Sequence, residues 1–156
     1  MNYLKLKNNE NKNVLYLAIH NHRNDIVDFI LNKINITSLP SPHIYLHKCI
    51  KMRDPLLTSK MLFHIDPNYC DDEGNNAFHI LFSSFYKNHT KCSLIGDKLL
   101  EYNCKPNFFN DNLMSPIHMA IKKGNRDCLE WILMQNKNLL KEGKEVFDIN
   151  IKVHIF

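Results

Sequence analysis

A hexapeptide that returns four times limits what this chain can fold into more than any other feature. Asn13-Val14-Leu15-Tyr16-Leu17-Ala18, Ile44-Tyr45-Leu46-His47-Lys48-Cys49, Asn76-Ala77-Phe78-His79-Ile80-Leu81 and Ser115-Pro116-Ile117-His118-Met119-Ala120 share an apolar third position. They also share His or Tyr at the fourth position and a small or apolar sixth residue. The sixth residues, Ala18, Cys49, Leu81 and Ala120, lie 31, 32 and 39 residues apart. A second apolar cluster follows about eleven residues later in three units, as Phe29-Ile30-Leu31, Met61-Leu62 and Trp131-Ile132-Leu133. In the third unit the matching Leu99-Leu100 arrives about seven residues late, which places an insertion there. A period of this length implies stacked supersecondary units, because one such unit cannot bury its apolar face alone.

Each unit reads as helix, turn, helix and loop, since both clusters set apolar residues three and four apart with a polar break between them. In the fourth unit that break is Lys122-Lys123-Gly124-Asn125, with Gly124 suited to a left-handed helix end. Helices of about ten residues are marginal in isolation, so stacking must stabilise them. The expected fold is all-α, one domain over residues 1–156. Its four units span approximately 9–38, 39–70, 71–109 with the insertion, and 110–136; residues 137–156 read as a partial repeat or a cap. The extra stretch Ser83–Lys91 is expected to lengthen the turn or extend the first helix of its unit. Val146–Phe156 alternates in polarity as a strand does, and Phe147-Asp148-Ile149-Asn150 also suits the loop of a further unit.

These residues resemble the ankyrin repeat. Asp71-Asp72-Glu73-Gly74-Asn75-Asn76-Ala77-Phe78-His79 is similar to the family pattern D-x-x-G-x-T-P-L-H, and Ser115-Pro116-Ile117-His118-Met119-Ala120 to its T-P-L-H-x-A core. Asp66-Pro67-Asn68 and Cys104-Lys105-Pro106-Asn107 resemble the G-A-D-P-N turn. The resemblance covers roughly residues 9–136 and implies an ankyrin-repeat solenoid of stacked helix-turn-helix units with extended loops. It also implies that His79 and His118 hydrogen-bond loop backbone and tie neighbouring units together. Ser115 suits an N-cap and Pro116 the first helical position. The chain departs from the pattern where Leu113 replaces a loop Gly, Ala77 a Pro, Arg53 an inter-helix Gly and Tyr16 a His.

Other chemistries find little support. The 20 basic and 16 acidic residues are scattered, giving a net charge of +4 without the like-charge block of a nucleic-acid arm. No run of about 18 apolar residues suggests a membrane span, and the N-terminus lacks the apolar centre of a secretory signal. Five cysteines without a C-x-x-C pair make a poor disulfide or zinc framework. Phosphate-loop, dinucleotide and H-E-x-x-H motifs do not occur. The expectation is therefore a monomer in the cytoplasm or nucleus, without cofactor, metal or catalytic residue, bound neither to nucleic acid nor to membrane.

The resemblance implies a protein-protein interaction module, an adaptor or scaffold, that meets a protein partner through loop tips and the concave face of the first helices. The partner-binding candidates carried over are Asp72, Glu73, Asn75, Ser83 and Ser84 in unit three and Asp111, Asn112, Met114, Lys122 and Lys123 in unit four. Lys12, His20 and Asn21 extend the set into unit one. Met114, with Leu113, is a candidate apolar anchor, although both could instead pack on the neighbouring loop. Two alternatives stay open: the recognition portion of a larger enzyme or channel, and, more weakly, a Cys/His metal-dependent enzyme.

Overall fold

The computed structural model describes residues 7–9, 12–84 and 89–150. Within them the chain folds into α1 (Val14–His20), α2 (Asn24–Leu31), a 3-10 turn (Ile36–Ser38), α3 (His43–Lys51), α4 (Pro55–Leu62), α5 (Ala77–Ser84), α6 (His89–Glu101), α7 (Pro116–Lys122) and α8 (Arg126–Lys141). No strand forms among the described residues beyond one isolated bridge, Lys7 to Asn13. Helices pair in order, α1 with α2 through α7 with α8. The first helices α1, α3, α5 and α7 pack side by side, as do α4, α6 and α8. The apolar third residues Leu15, Leu46, Phe78 and Ile117 all lie in the one continuous core.

The repeat fixes both ends of these short helices. Asn13 caps α1 by accepting the Tyr16 N–H at 3.0 Å, and Asp54 caps α4 through Leu57 at 3.0 Å, with Pro55 at the first helical position. In α5 and α7 the fourth-position histidine completes a capping box. His79 Nδ1 accepts the Asn76 N–H at 3.2 Å, and His118 Nδ1 accepts the Ser115 N–H at 3.1 Å. His22, Arg53 and Gly124 occupy the same repeat position at positive φ. At each, the next N–H reaches back to Ala18, Cys49 or Ala120, closing a Schellman end. Arg53 thus adopts the conformation of the glycine it replaces, and its Nε bonds the Ser84 carbonyl of the next unit at 3.2 Å.

The loops between units repeat as closely. Asp71 Oδ1 accepts the N–H groups of Glu73 and Asn75, and Asn110 Oδ1 those of Asn112 and Met114. Gly74 at φ +75 and Leu113 at φ +55 take the same place in the two loops. A left-handed conformation costs a non-glycine residue about 1–2 kcal/mol, and Leu113 is 49% exposed, so its side chain returns little. Leu113→Gly is therefore expected to stabilise the protein by about 1 kcal/mol. Gly74→Ala is expected to cost about 2 kcal/mol, because the new Cβ would sit 2.8 Å from the Asp111 nitrogen. Urea midpoints of the two variants check the opposite signs.

α5 is described as far as Ser84, and His89, Thr90 and Lys91 open a 13-residue second helix in the same unit, against 8 residues in α2 and α4. Phe85–Asn88, the rest of the extra stretch, lie outside the described residues. One expectation changes: Val146–Asn150 do not form a strand, because the Asn136 side chain takes both the N–H and the carbonyl of Phe147 and seats its ring in the core. Residues 151–156 lie outside the described set. Asp148 accepts the Asn150 N–H as Asp71 and Asn110 accept theirs two residues on, so Asp148–Asn150 have the opening geometry of another loop. α8 also runs on to Lys141, past the end expected at 136.

Candidate concave binding face

The row of first helices and the loops before them form one side of the molecule. Between α3, α5 and α7 lies a shallow depression of about 420 Å³. It gathers Asp72, Glu73, Asn75, Ser83 and Lys123 of the expected residues, together with Lys51, Asp71, His79, Ile80 and Met119. Carboxylates of the 71–73 loop thus stand on one side and two lysines, from the ends of α3 and α7, on the other. Burial opposes the charge on Asp71, but hydrogen bonds from the Asn75 backbone and side chain and from the Glu73 backbone outweigh it and hold its carboxyl below the usual range.

The expected residues do not all have the same standing. Asp72, Glu73, Asp111, Asn112, Lys122 and Lys123 are exposed. Ser83 and Ser84 are half-buried, and both hydroxyls bond the Ile80 carbonyl. Met114 is half-buried, with its carbonyl accepting from His79 Nε2 at 2.9 Å. Asn75 is only 5% exposed and belongs to the scaffold, receiving the Asn110 side chain at 2.7 Å and donating to Asp71 and Glu73. It is spent inside the protein and is a poor surface for a partner. Asp111, Asn112, Met114, Ser84 and Lys122 lie outside the lining of the depression.

Lys51 also lines the depression, although it is not among the residues expected from the sequence. It holds the repeat position of His20, Ser83 and Lys122, a signal hidden by the weak match of the second unit. Met119 stands one residue after the repeat histidine, where Ile80 stands in unit three.

The histidine at that repeat position behaves differently in each unit. His79 bridges to the next loop, whereas His47, 4% exposed, leaves Nε2 without a hydrogen bond. Burial, then the nearby His43 and Lys51, push its pKa down to about 3 against the partial opposition of Asp71. The folded value lies below the unfolded value of about 6.5, so the unfolded chain binds more protons between those limits. Stability from the neutral ring is complete above about pH 6.5 and is lost as pH falls toward 3. His47→Leu should flatten that part of the pH dependence by on the order of a few kcal/mol without loss at pH 7.5; urea titrations at stepped pH check it.

All five cysteines are free, and burial raises the pKa of Cys49, Cys92, Cys104 and Cys128, keeping their thiols protonated. Among the described residues no three His, Cys, Asp or Glu side chains are placed to hold a metal ion, and no helix is long and apolar enough to cross a membrane.

Comparison with known proteins agrees with the repeat geometry. A family model for ankyrin repeats, three copies, matches residues 46–142, well over half of the chain. No curated protein matches it.

Proposed function

Because the chain belongs to the ankyrin repeat family, whose members are in general protein-binding modules, we propose that it is an adaptor or scaffold. In this reading it engages one protein partner through its loop tips and concave helix face. The observation that carries the reading is the depression in which Asp72 and Glu73 oppose Lys51 and Lys123 around Ser83. Solenoids bind over such extended concave surfaces, and a face carrying both charge signs selects partners by complementarity and rejects those with like charge opposite. Asp111, Asn112, Met114, Lys122 and Ser84 form the outer part of the contact, and Asn75 supports it from within. Catalysis has no part in this reading, and the five free thiols suit a reducing cytoplasm or nucleus.

The test is affinity capture with wild type and a Glu73→Lys, Lys123→Glu variant, followed by titration of each with the purified captured protein. Both side chains are exposed, and the Asn75 amide that Glu73 accepts from keeps Asp71 as an acceptor when Glu73 is replaced, so circular dichroism should show the same fold. At least about tenfold weaker binding of the variant is expected. Equal affinity of the two would place the contact elsewhere.

A further inference from the structure

Charge is segregated between the two rows of helices. The first helices α1, α3, α5 and α7 contain no Asp or Glu, whereas Asp25, Asp28, Asp97, Glu101, Asp127 and Glu130 lie on the second helices. There Lys60 pairs with Asp28, Lys98 with Glu101 and Arg126 with Glu130. Lys48 and Lys51 on α3, and Lys122 and Lys123 at the end of α7, have no ion pair among the described residues. Lys48 Nζ stands 5.5 Å from the centre of the Tyr16 ring, beside a hollow of about 230 Å³ lined by Tyr16, His43, Lys48 and Lys51 and by Asp71 and Asp72 of the loop. The hollow shares Lys51, Asp71 and Asp72 with the larger depression, so the two run on from each other along the row. Asp71 is taken up by the N–H groups of Glu73 and Asn75, which leaves a floor charged by lysines and a rim of Asp72 and Glu73. Like charges gathered without a counterion favour a ligand that brings the opposite sign.

We propose that the concave face takes an extended acidic segment of the partner protein, with carboxylates over Lys48 and Lys51 at one end and over Lys123 at the other. The proposal rests on the concave face being the surface that meets the partner. α5 lies between α3 and α7 in the row, so the two basic ends are about 16–20 Å apart at ordinary helix spacings. Five or six extended residues span that distance. Between its ends the segment passes Ser83 beside Asp72 and Glu73, so its middle is free of acidic residues, since like charges brought together there would oppose binding. The same rim disfavours nucleic acid. A duplex carries phosphates without a break, and those that reached the lysines would set others against Asp72, Glu73 and Asp111 at the exposed loop tips. A single peptide segment can place its carboxylates on the floor and leave the rim unopposed.

The test is fluorescence anisotropy of the full chain with a labelled peptide that carries two Glu at each end of a Gly/Ser spacer of about five residues, beside the same peptide with Gln for Glu. The Glu peptide is expected to bind at least about tenfold more tightly than the Gln peptide at about 50 mM salt, and to weaken as salt rises. An unlabelled duplex oligonucleotide should not displace it. Lys51→Glu and Lys123→Glu should each weaken it about tenfold or more. Lys141→Glu makes the same change in net charge at an exposed α8 residue and should leave binding unchanged. Circular dichroism of each variant shows whether the fold is kept. Equal binding of the two peptides, displacement by the duplex, or equal losses in folded Lys51→Glu and Lys141→Glu would overturn the proposal. If any of these occurs while the Glu73→Lys, Lys123→Glu variant still loses its captured partner, the acidic segment alone is wrong. A captured partner held equally by that variant strikes the binding face itself.

Discussion

Trp131→Ala is expected to cost about 3–5 kcal/mol, a large share of the stability of a domain for which the whole is of order 5–15 kcal/mol. Trp131 is fully enclosed where units three and four meet. Its ring lies 6.0 Å from that of Phe82 and 5.8 Å from that of Phe147, both edge-on, the arrangement aromatic quadrupoles favour. Its Nε1–H donates to Asp97 at 3.3 Å, a carboxylate that also receives Gln135 at 2.8 Å. The truncation therefore opens a cavity, frees Phe147 on one side and removes a donor on the other. Gly96 shows how tightly the ring is held, since a Cβ there would stand 2.5 Å from Trp131 Cζ2. Glycine inside α6 costs about 0.5–1 kcal/mol in helix stability, yet Gly96→Ala should still lose about 1–3 kcal/mol by overpacking. Urea denaturation followed by far-ultraviolet circular dichroism measures both; a loss below about 1 kcal/mol for Trp131→Ala would mean that the stack does not depend on this contact.

The second large effect is at His79, where alanine should cost about 2–4 kcal/mol. The neutral ring uses both nitrogens: Nδ1 accepts from the α5 cap and Nε2–H donates to Met114 in the next loop. Burial lowers its pKa and favours the neutral form, against the pull of the Met114 carbonyl. Alanine leaves the buried Asn76 N–H without that acceptor. His118 makes the same capping contact, but its Nε2 has no hydrogen bond among the described residues. His118→Ala should accordingly cost only about 1 kcal/mol. The difference between the two variants measures the tie between units, and hydrogen exchange of Asn110–Ser115 should accelerate in the His79 variant alone.

What could be read directly from the sequence was whatever the repeat expresses locally. The hexapeptide predicted the first helices and their caps, Pro116 and Ser115 marked the start of α7, and the histidines announced inter-loop bonds that His79 makes. Even the departures were informative, because Leu113 and Arg53 keep the backbone of the glycines they replace. What escaped depends on contacts between distant residues. Asn75 resembles any polar loop residue until Asn110, 35 positions on, is seen to bond it. Val146–Asn150 alternate as a strand does, and only the Asn136 amide decides otherwise. Lys51 was hidden because unit two matches the pattern weakly, although its repeat position was available. Gly96 carries no local signal at all; its reason is the Trp131 ring one unit away.

In the function proposed above, the concave face, and not the outer row of helices, meets the partner. Hydrogen exchange of the chain with and without its captured and purified partner tests it most directly. Slowed exchange is expected in the loops at 71–75 and 110–114 and at the ends of α5 and α7, with α2 and α4 unchanged. Protection confined to the second helices, with those loops exchanging as in the free protein, would contradict it.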